Sequence, residues 1–204
     1  MGLLKKHLVI FAKAPRIGYV KTRLAKDIGH VQASMFYRFC LRNLIRKLSL
    51  DNRWKTWVAI TPDGSPRYKI IPARVEMINQ GNGCLGKRIM RVMSLIPRGP
   101  LIIIGSDIPN IESDIIDASF KSLKHNDAVI GPARDGGYWL IGYKKIPKSV
   151  ETFSGVRWST TNALNDTIDN MNRLSLTFSI TKELEDIDDI GSFNRWKQTL
   201  KQFY

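Results

Sequence analysis

The chain has 204 residues, 43% of them hydrophobic, and a formal net charge of +14. That length suits one domain, residues 1–204, with its own core; no stretch reaches the ~20 apolar residues of a membrane-spanning helix, and two cysteines without CxxC spacing or nearby histidines speak against a disulfide framework or a zinc site. The charge is lopsided: residues 1–100 hold 20 Lys+Arg against 4 Asp+Glu, a net of +16, whereas residues 101–204 hold 12 against 14, a net of −2.

In chain order, apolar runs bounded by turn residues predict strands at Leu8 to Ala12, Trp57 to Thr61, Arg74 to Asn79, Leu101 to Gly105, Asp127 to Gly131, Tyr138 to Tyr143 and Leu174 to Ile180. Between them, Val31 to Leu50 places Met35, Phe39, Leu41, Leu44, Ile45 and Leu48 at helical spacing, with Arg38, Arg42, Arg46 and Lys47 on the remaining face. Further helices are expected at Leu85 to Ile96, Ser113 to Lys124, Ser159 to Met171 and Ile190 to Gln202, with Ser113 and Ser159 as N-caps. Alternating elements and fully apolar runs such as Leu101 to Ile104 predict an α/β fold, a mostly parallel sheet covered by helices. The short apolar run after Lys5 and Lys6 is too brief for a signal peptide, so a reducing cytoplasm is the expected compartment.

In such a sheet, ligands bind beyond the carboxyl ends of the strands, and three strand-following loops carry unusual content. The first reads FAKAPRIGYVKTRLAKDIG from Phe11. It lacks the Gly-Lys-Ser/Thr succession of a P-loop. Pro15 and Gly18 nevertheless bend it, so that Lys13, Arg16, Lys21 and Arg23 can converge on an anion such as a diphosphate. A solvated basic loop reads the same way. The second loop, Gly105-Ser-Asp-Ile-Pro109, sets Asp107 at the ligand edge of the sheet, where a carboxylate can hold Mg²⁺ or Mn²⁺ or simply close a turn.

The third loop, Gly131-Pro-Ala-Arg-Asp-Gly-Gly137, offers close backbone approach at Gly136 and Gly137, with Asp135 able to orient a hydroxyl or take a proton and Tyr138 opening the next strand. Asp-Gly-Gly is equally an ordinary hairpin turn. Gly81-Asn-Gly-Cys-Leu-Gly86 matches G-x-G-x-x-G only formally, because it follows several elements instead of the first strand. A glycine-rich entry to a ligand-facing helix, with Gly83, Gly86 and Arg88, is the milder reading. Trp158, Ser159 and Thr160 form a candidate acceptor loop, and Glu185 to Asp189 place four acids in five residues, Asp188 among them, either for a metal or for a helix N-terminus.

Taken together and in this order, FAKAPRIGYVKTRLAKDIG, QGNGCLG from Gln80, GSDIPNI, GPARDGGYWLIG, Trp158-Ser159-Thr160 and EDIDDI resemble a bacterial family of radical-SAM/selenodomain-associated transferases, whose members often pass as glycosyltransferases. The resemblance implies the nucleotide-diphospho-sugar transferase (GT-A-like) fold, a three-layer α/β/α arrangement. It implies a nucleotide or nucleotide-sugar substrate with phosphates on the first loop, a small-molecule acceptor, and Asp107 in the place of that fold's metal-binding carboxylate. Where the family commonly reads GDLGER, this chain has Cys84 and Lys87 in place of two acids. Two activities share the expectation: glycosyl transfer from a nucleoside diphosphate sugar, and nucleotidyl transfer to a phosphorylated molecule. A basic nucleotide- or nucleic-acid-binding module without catalysis is a third, disfavoured because the aromatics of the basic half fall at core-like positions and not among its cations.

Overall fold

A computed structural model describes residues 4–144 and 150–201. Seven strands form one sheet: β1 (His7–Lys13), β2 (Lys55–Thr61), β3 (Glu76–Asn79), β4 (Leu101–Gly105), β5 (Ala128–Pro132), β6 (Tyr138–Tyr143) and β7 (Phe178–Ile180), in the spatial order β3-β2-β1-β4-β6-β5-β7. All pairings are parallel except those of β6, which runs antiparallel to both β4 and β5. The expected mostly parallel α/β sheet is therefore present, with one reversed strand that the apolar runs do not announce. That reversal follows from the short link after β5, because residues 133–137 suffice for a hairpin but not for a helical crossover.

The helices are α1 (Ala25–Ile28), α2 (His30–Ser49), α3 (Leu85–Leu95), α4 (Ser113–Ser122), α5 (Ala163–Arg173) and α6 (Ile190–Lys201), with a 3-10 turn at Val150–Phe153. Alternation along the strands divides the core into two layers. Leu8 and Ile10 of β1 and Ile102 and Ile104 of β4 pack with Tyr37, Leu41, Leu44 and Ile45 of α2 and with Ile116 and Phe120 of α4. Val9, Leu101 and Ile103 face the opposite way, onto Ile89, Val92 and Met93 of α3 and Met171 of α5. Because β1 and β4 are covered on both faces, their apolar runs are continuous and not alternating. A third cluster, Leu24, Ala33, Phe36, Cys40, Ile187 and Phe193, ties α2 to α6.

Several expected boundaries move. Helix α5 begins at Ala163 with Asn162 as N-cap, and Ser159 instead adopts φ 60, in the left-handed region. The hydroxyl of Thr160 donates to the Arg157 carbonyl (2.7 Å) and Arg157 is held by Asp166 (2.7 Å), so a compact turn occupies the residues assigned to the first helical turn. Ser113 opens α4, but Glu112 is its N-cap and no side chain caps it. The strand expected from Leu174 shrinks to Phe178–Ile180 because Leu174 closes α5 and Ser175 turns left-handed at φ 52. Arg74 and Val75 fall outside β3: the Arg74 guanidinium donates to Ser49, and the Val75 N–H closes a turn on Pro72. The expected end of the last helix, Gln202, lies outside the described residues.

Candidate active site

The carboxyl ends of β1, β2 and β4 meet the start of the reversed β6 at one edge of the sheet, and a cleft of about 380 Å³ opens there. Ala12 and Lys13, Thr61, and Gly105 to Asp107 line it from the strand ends; Gln80 and Arg88 close one side, while Asp135, Trp158, Asp186 and Asp188 close the other.

Two buried polar residues fix the strand ends. The Tyr37 hydroxyl receives the Lys13 N–H (2.9 Å), donates to the Lys13 carbonyl (3.0 Å) and lies 3.2 Å from the Ser106 hydroxyl, so one side chain from α2 sets the end of β1 against the residue before Asp107. Burial pushes its phenol well above the ordinary range, keeping it neutral. The Gln80 amide donates to the carbonyls of Ala12 (3.1 Å) and Ala59 (2.7 Å) and accepts from Arg88 (2.9 Å). Gln80 thereby holds the ends of β1 and β2 and aims Arg88 at the cleft. Among the described residues the buried Arg88 Nε has no hydrogen-bond partner.

Lys21 joins the two halves of the sequence. Its ammonium lies 2.8 Å from Asp107 Oδ1 and 2.7 Å from Asp188 Oδ1, with the side chain 3% exposed, while the two carboxylates are 47% and 43% exposed. Burial alone would lower the lysine, but the two carboxylates outweigh it and its proton is held more tightly than usual. Burial likewise pushes Asp188 up, and the Lys21 charge and hydrogen bond overrule it, leaving the carboxyl below its ordinary value. Asp186 is displaced the other way, to about 6, first by burial and then by the negative charges of Asp188 and Asp135.

The four acids of the EDIDD segment divide their work. Asp186 and Asp188 alternate along an extended segment and both line the cleft. Asp189 accepts the Ser192 N–H (2.8 Å) at the start of α6, and Glu185 pairs with Arg195 at 2.5 Å. The helix-start reading of this run therefore holds for Asp189, while Asp186 and Asp188 face the cleft.

Of the residues singled out in sequence, Lys13, Arg88, Asp107, Asp135, Gly137, Tyr138, Trp158, Ser159, Thr160 and Asp188 line the cleft. Arg16, Gly18 and Arg23 are exposed outside that lining, although the Arg23 charge reaches Asp188. Gly83 is exposed at φ 104 and lies outside it too. Gly86 has a packing reason, since a Cβ there would come within 2.8 Å of the Trp158 ring. Gly136, at φ 84, lies against the backbone of Thr161, where a Cβ would approach the carbonyl oxygen to 2.4 Å. The Asp-Gly-Gly stretch is a hairpin turn that also faces the cleft: Asp135 Oδ1 accepts the Gly137 N–H at 2.9 Å. Cys84 is the N-cap of α3 with no side-chain cap bond, and no acid stands in the first turn of that helix.

Residues 44–160 match the model of the bacterial family DUF2064, described as an uncharacterized protein conserved in bacteria. The chain belongs to this family. No curated protein matches it in sequence. Among solved structures, this DUF2064 chain is similar to a Desulfovibrio desulfuricans G20 protein provisionally named a nucleotide-diphospho-sugar transferase, with TM-score 0.88 and 28% identity over 95% of this chain and 87% of that one. It shares the fold of 4-diphosphocytidyl-2C-methyl-D-erythritol synthase from Anaerococcus prevotii (TM-score 0.63, 12% identity, 97% and 96% covered). It shares it also with glucosyl-3-phosphoglycerate synthase from Mycobacterium tuberculosis, a complex with Mn²⁺, UDP and glucosyl-3-phosphoglycerate (TM-score 0.58, 11% identity, 89% and 70% covered). The fold of this DUF2064 member is thus that of the nucleotide-diphospho-sugar transferases and cytidylyltransferases. Among its described residues no helix is long and apolar enough to cross a membrane.

The donor chemistry of the site fits a hard divalent cation. Among the described residues no group of three His, Cys, Asp or Glu side chains forms a ready-made cage. Mg²⁺ and Mn²⁺ do not require one, because one or two carboxylates together with substrate phosphates suffice. Asp107 and Asp188 are such a pair, converging on a single cationic atom from loops 81 residues apart in the chain, and both line the cleft.

Proposed function

We propose that the protein is a Mg²⁺- or Mn²⁺-dependent transferase that binds a nucleoside diphosphate sugar in this cleft and passes the glycosyl group to a small acceptor. The observation that carries the reading is the convergence of Asp107 and Asp188 on one cation at the end of β4, beside Lys13 and Arg88. Cations and a carboxylate pair set side by side suit a diphosphate whose charge must be offset as it departs.

In this reading Lys13 and Arg88 bind the diphosphate oxygens, the unpartnered Arg88 Nε included, and Gln80 keeps that guanidinium in place. A divalent ion held by Asp107 and Asp188 would stabilise the charge that develops on the departing phosphate. The acceptor lies against Gly136, Gly137, Tyr138, Trp158, Ser159 and Thr160. Its hydroxyl oxygen forms the new bond to the anomeric carbon, the bond from that carbon to the diphosphate breaks, and the hydroxyl proton passes to Asp135. Asp135 already uses Oδ1 to accept the Gly137 N–H, which orients the carboxylate and leaves Oδ2 for the acceptor. Kinship with the radical-SAM/selenodomain-associated transferases belongs to the same reading.

Nucleotidyl transfer is the second reading, and one observation favours it. The chain shares its fold with 4-diphosphocytidyl-2C-methyl-D-erythritol synthase, and its strand-end cleft is available to a nucleotide. The two are separated by product analysis with Mn²⁺ present. Release of nucleoside diphosphate from nucleotide sugars supports glycosyl transfer, whereas release of pyrophosphate from nucleoside triphosphates supports nucleotidyl transfer. A thermal shift with neither ligand class, against the roughly 2.7 kcal/mol expected of a ligand at 100 times its dissociation constant, would dismiss both.

A further inference from the structure

The two carboxylates that suit a divalent ion are already engaged by a cation of the chain itself. Lys21 Nζ lies 2.8 Å and 2.7 Å from the Oδ1 atoms of Asp107 and Asp188. We propose that Lys21 is a displaceable internal cation, holding these two carboxylates together in the free protein and giving them up to the divalent ion when ligand phosphates offer its ammonium another partner. The proposal rests on the reading above, in which a nucleoside diphosphate and a divalent ion share this cleft.

The exposures define the direction of the exchange. The ammonium end is on the protein side, its side chain 3% exposed, whereas the carboxylates it bridges are each more than two-fifths exposed and face the cleft. A metal entering from the cleft therefore meets oxygens whose charge is already partly neutralised from behind. Two carboxylates this close to one another repel unless a cation stands between them, so the free protein needs Lys21 as much as the loaded one needs the metal. Both cations draw on the same two Oδ1 atoms, which makes their occupancy competitive.

Lysine is the side chain for such an exchange. It is a point charge on a flexible stem with three rotatable donors, and it binds phosphate without the fixed fork geometry that arginine imposes. Two of its three donors are committed to Asp107 and Asp188. Lys21 also lies at φ 49, in the left-handed region, within the loop that runs from the end of β1 to α1. Neighbouring Arg23 is exposed, so the loop presents Lys21 inward and Arg23 outward. Phosphate binding and metal binding become reciprocally coupled through Lys21: whichever anion takes the ammonium leaves the carboxylates with greater affinity for the metal.

The test measures Mn²⁺ binding to the full chain by electron paramagnetic resonance, first with Mn²⁺ alone and then with UDP, GDP or CDP. Lys21→Met, which keeps the length of the stem without the charge, should bind Mn²⁺ alone about tenfold or more tightly than wild type, within the range of ordinary coupling factors. Lys21→Arg, which keeps the charge, should bind it as weakly as wild type does. The tightening of Mn²⁺ by nucleotide should be smaller in Lys21→Met than in wild type. Equal or weaker Mn²⁺ binding by Lys21→Met overturns the inference and leaves the metal reading standing. Absence of Mn²⁺ binding by every protein, with and without each nucleotide, removes the metal reading and the inference with it. If Lys21→Met does not fold, Mn²⁺ should restore its folded circular-dichroism signal, and failure to do so counts against the proposal.

Discussion

The two walls of the cleft are built from opposite ends of the chain and carry opposite charge. One wall, from β1, β3 and α3, presents Lys13 and Arg88; the other, from the β5–β6 hairpin and the segment before α6, presents Asp135, Asp186 and Asp188. The division of the sequence into a half of net +16 and a half of net −2 is thus reproduced across a few ångströms of one site. A strongly basic half does not by itself indicate a nucleic-acid surface, since here some of its cations face carboxylates and a small cleft. At the cleft, Lys21 of the basic half bridges Asp107 and Asp188 of the acidic half.

The contrast breaks most completely at Asp107. Asp107→Asn preserves size and removes the charge, and turnover should fall on the order of 100-fold or more, as for the loss of a residue that stabilises transition-state charge. Nucleotide titrations of both proteins with Mn²⁺ and with chelator check it: the metal enhancement should vanish in the mutant. Equal enhancement in both would return Asp107 to a turn residue.

On the basic wall, Arg88→Ala should weaken nucleotide binding about 10- to 100-fold, the range expected for charge-assisted hydrogen bonds. Arg23→Ala, outside the cleft lining, should cost less. Calorimetry ranks the pair, and a larger loss from Arg23 would mean that the first loop, and not the β3–α3 side, receives the phosphates.

Tyr37 lies beneath both walls, bonded to Lys13 and close to Ser106. Tyr37→Phe removes the partner of the partly buried backbone groups of Lys13, so stability should drop by about 0.5–1.5 kcal/mol, read as a lower denaturant midpoint with unchanged slope.

The smallest effect sharpens the acidic wall. Asp186 binds its proton more tightly in the folded protein, at about 6 against an ordinary 3.8, so the folded state holds the extra proton and stability should decline as pH rises from 3.8 to about 6, then level off. Asp186→Asn should abolish that slope and raise the melting temperature near neutral pH, while leaving it unchanged in acid below about pH 4. An unchanged slope in the mutant would assign the titration to another group.

Much of this arrangement was legible in the residues, for reasons that also explain what was not. The cores of β1, β4 and β6 were readable because strands buried on both faces must be apolar throughout. The place of Asp107 at the cleft was readable because it directly follows such a strand, at the sheet's carboxyl edge. The roles of Gln80, Tyr37 and Ser106 were not readable, even though two of them fall in sequence motifs, since those roles lie in buried hydrogen bonds between segments up to 69 residues apart. Asp186 could have been found from its alternation with Asp188 in an extended segment. Ser159 failed as a cap because propensity cannot foresee that the Arg157–Asp166 pair would hold a turn there.

The reversed strand β6 has a consequence for how this site can change over evolutionary time. Because β5 and β6 pair antiparallel, the chain leaves and re-enters the cleft edge within the stretch from Pro132 to Tyr138. Asp135, Gly137 and Tyr138 of the cleft lining are therefore close together in sequence and reached by a turn instead of a helix. Lengthening or shortening that turn would remodel the proposed acceptor side without disturbing the ladder of β1, β2 and β4 beneath the proposed nucleotide side. In the transferase proposed above, donor and acceptor preferences can then diverge independently, the first tied to the centre of the sheet and the second to a connection a few residues long.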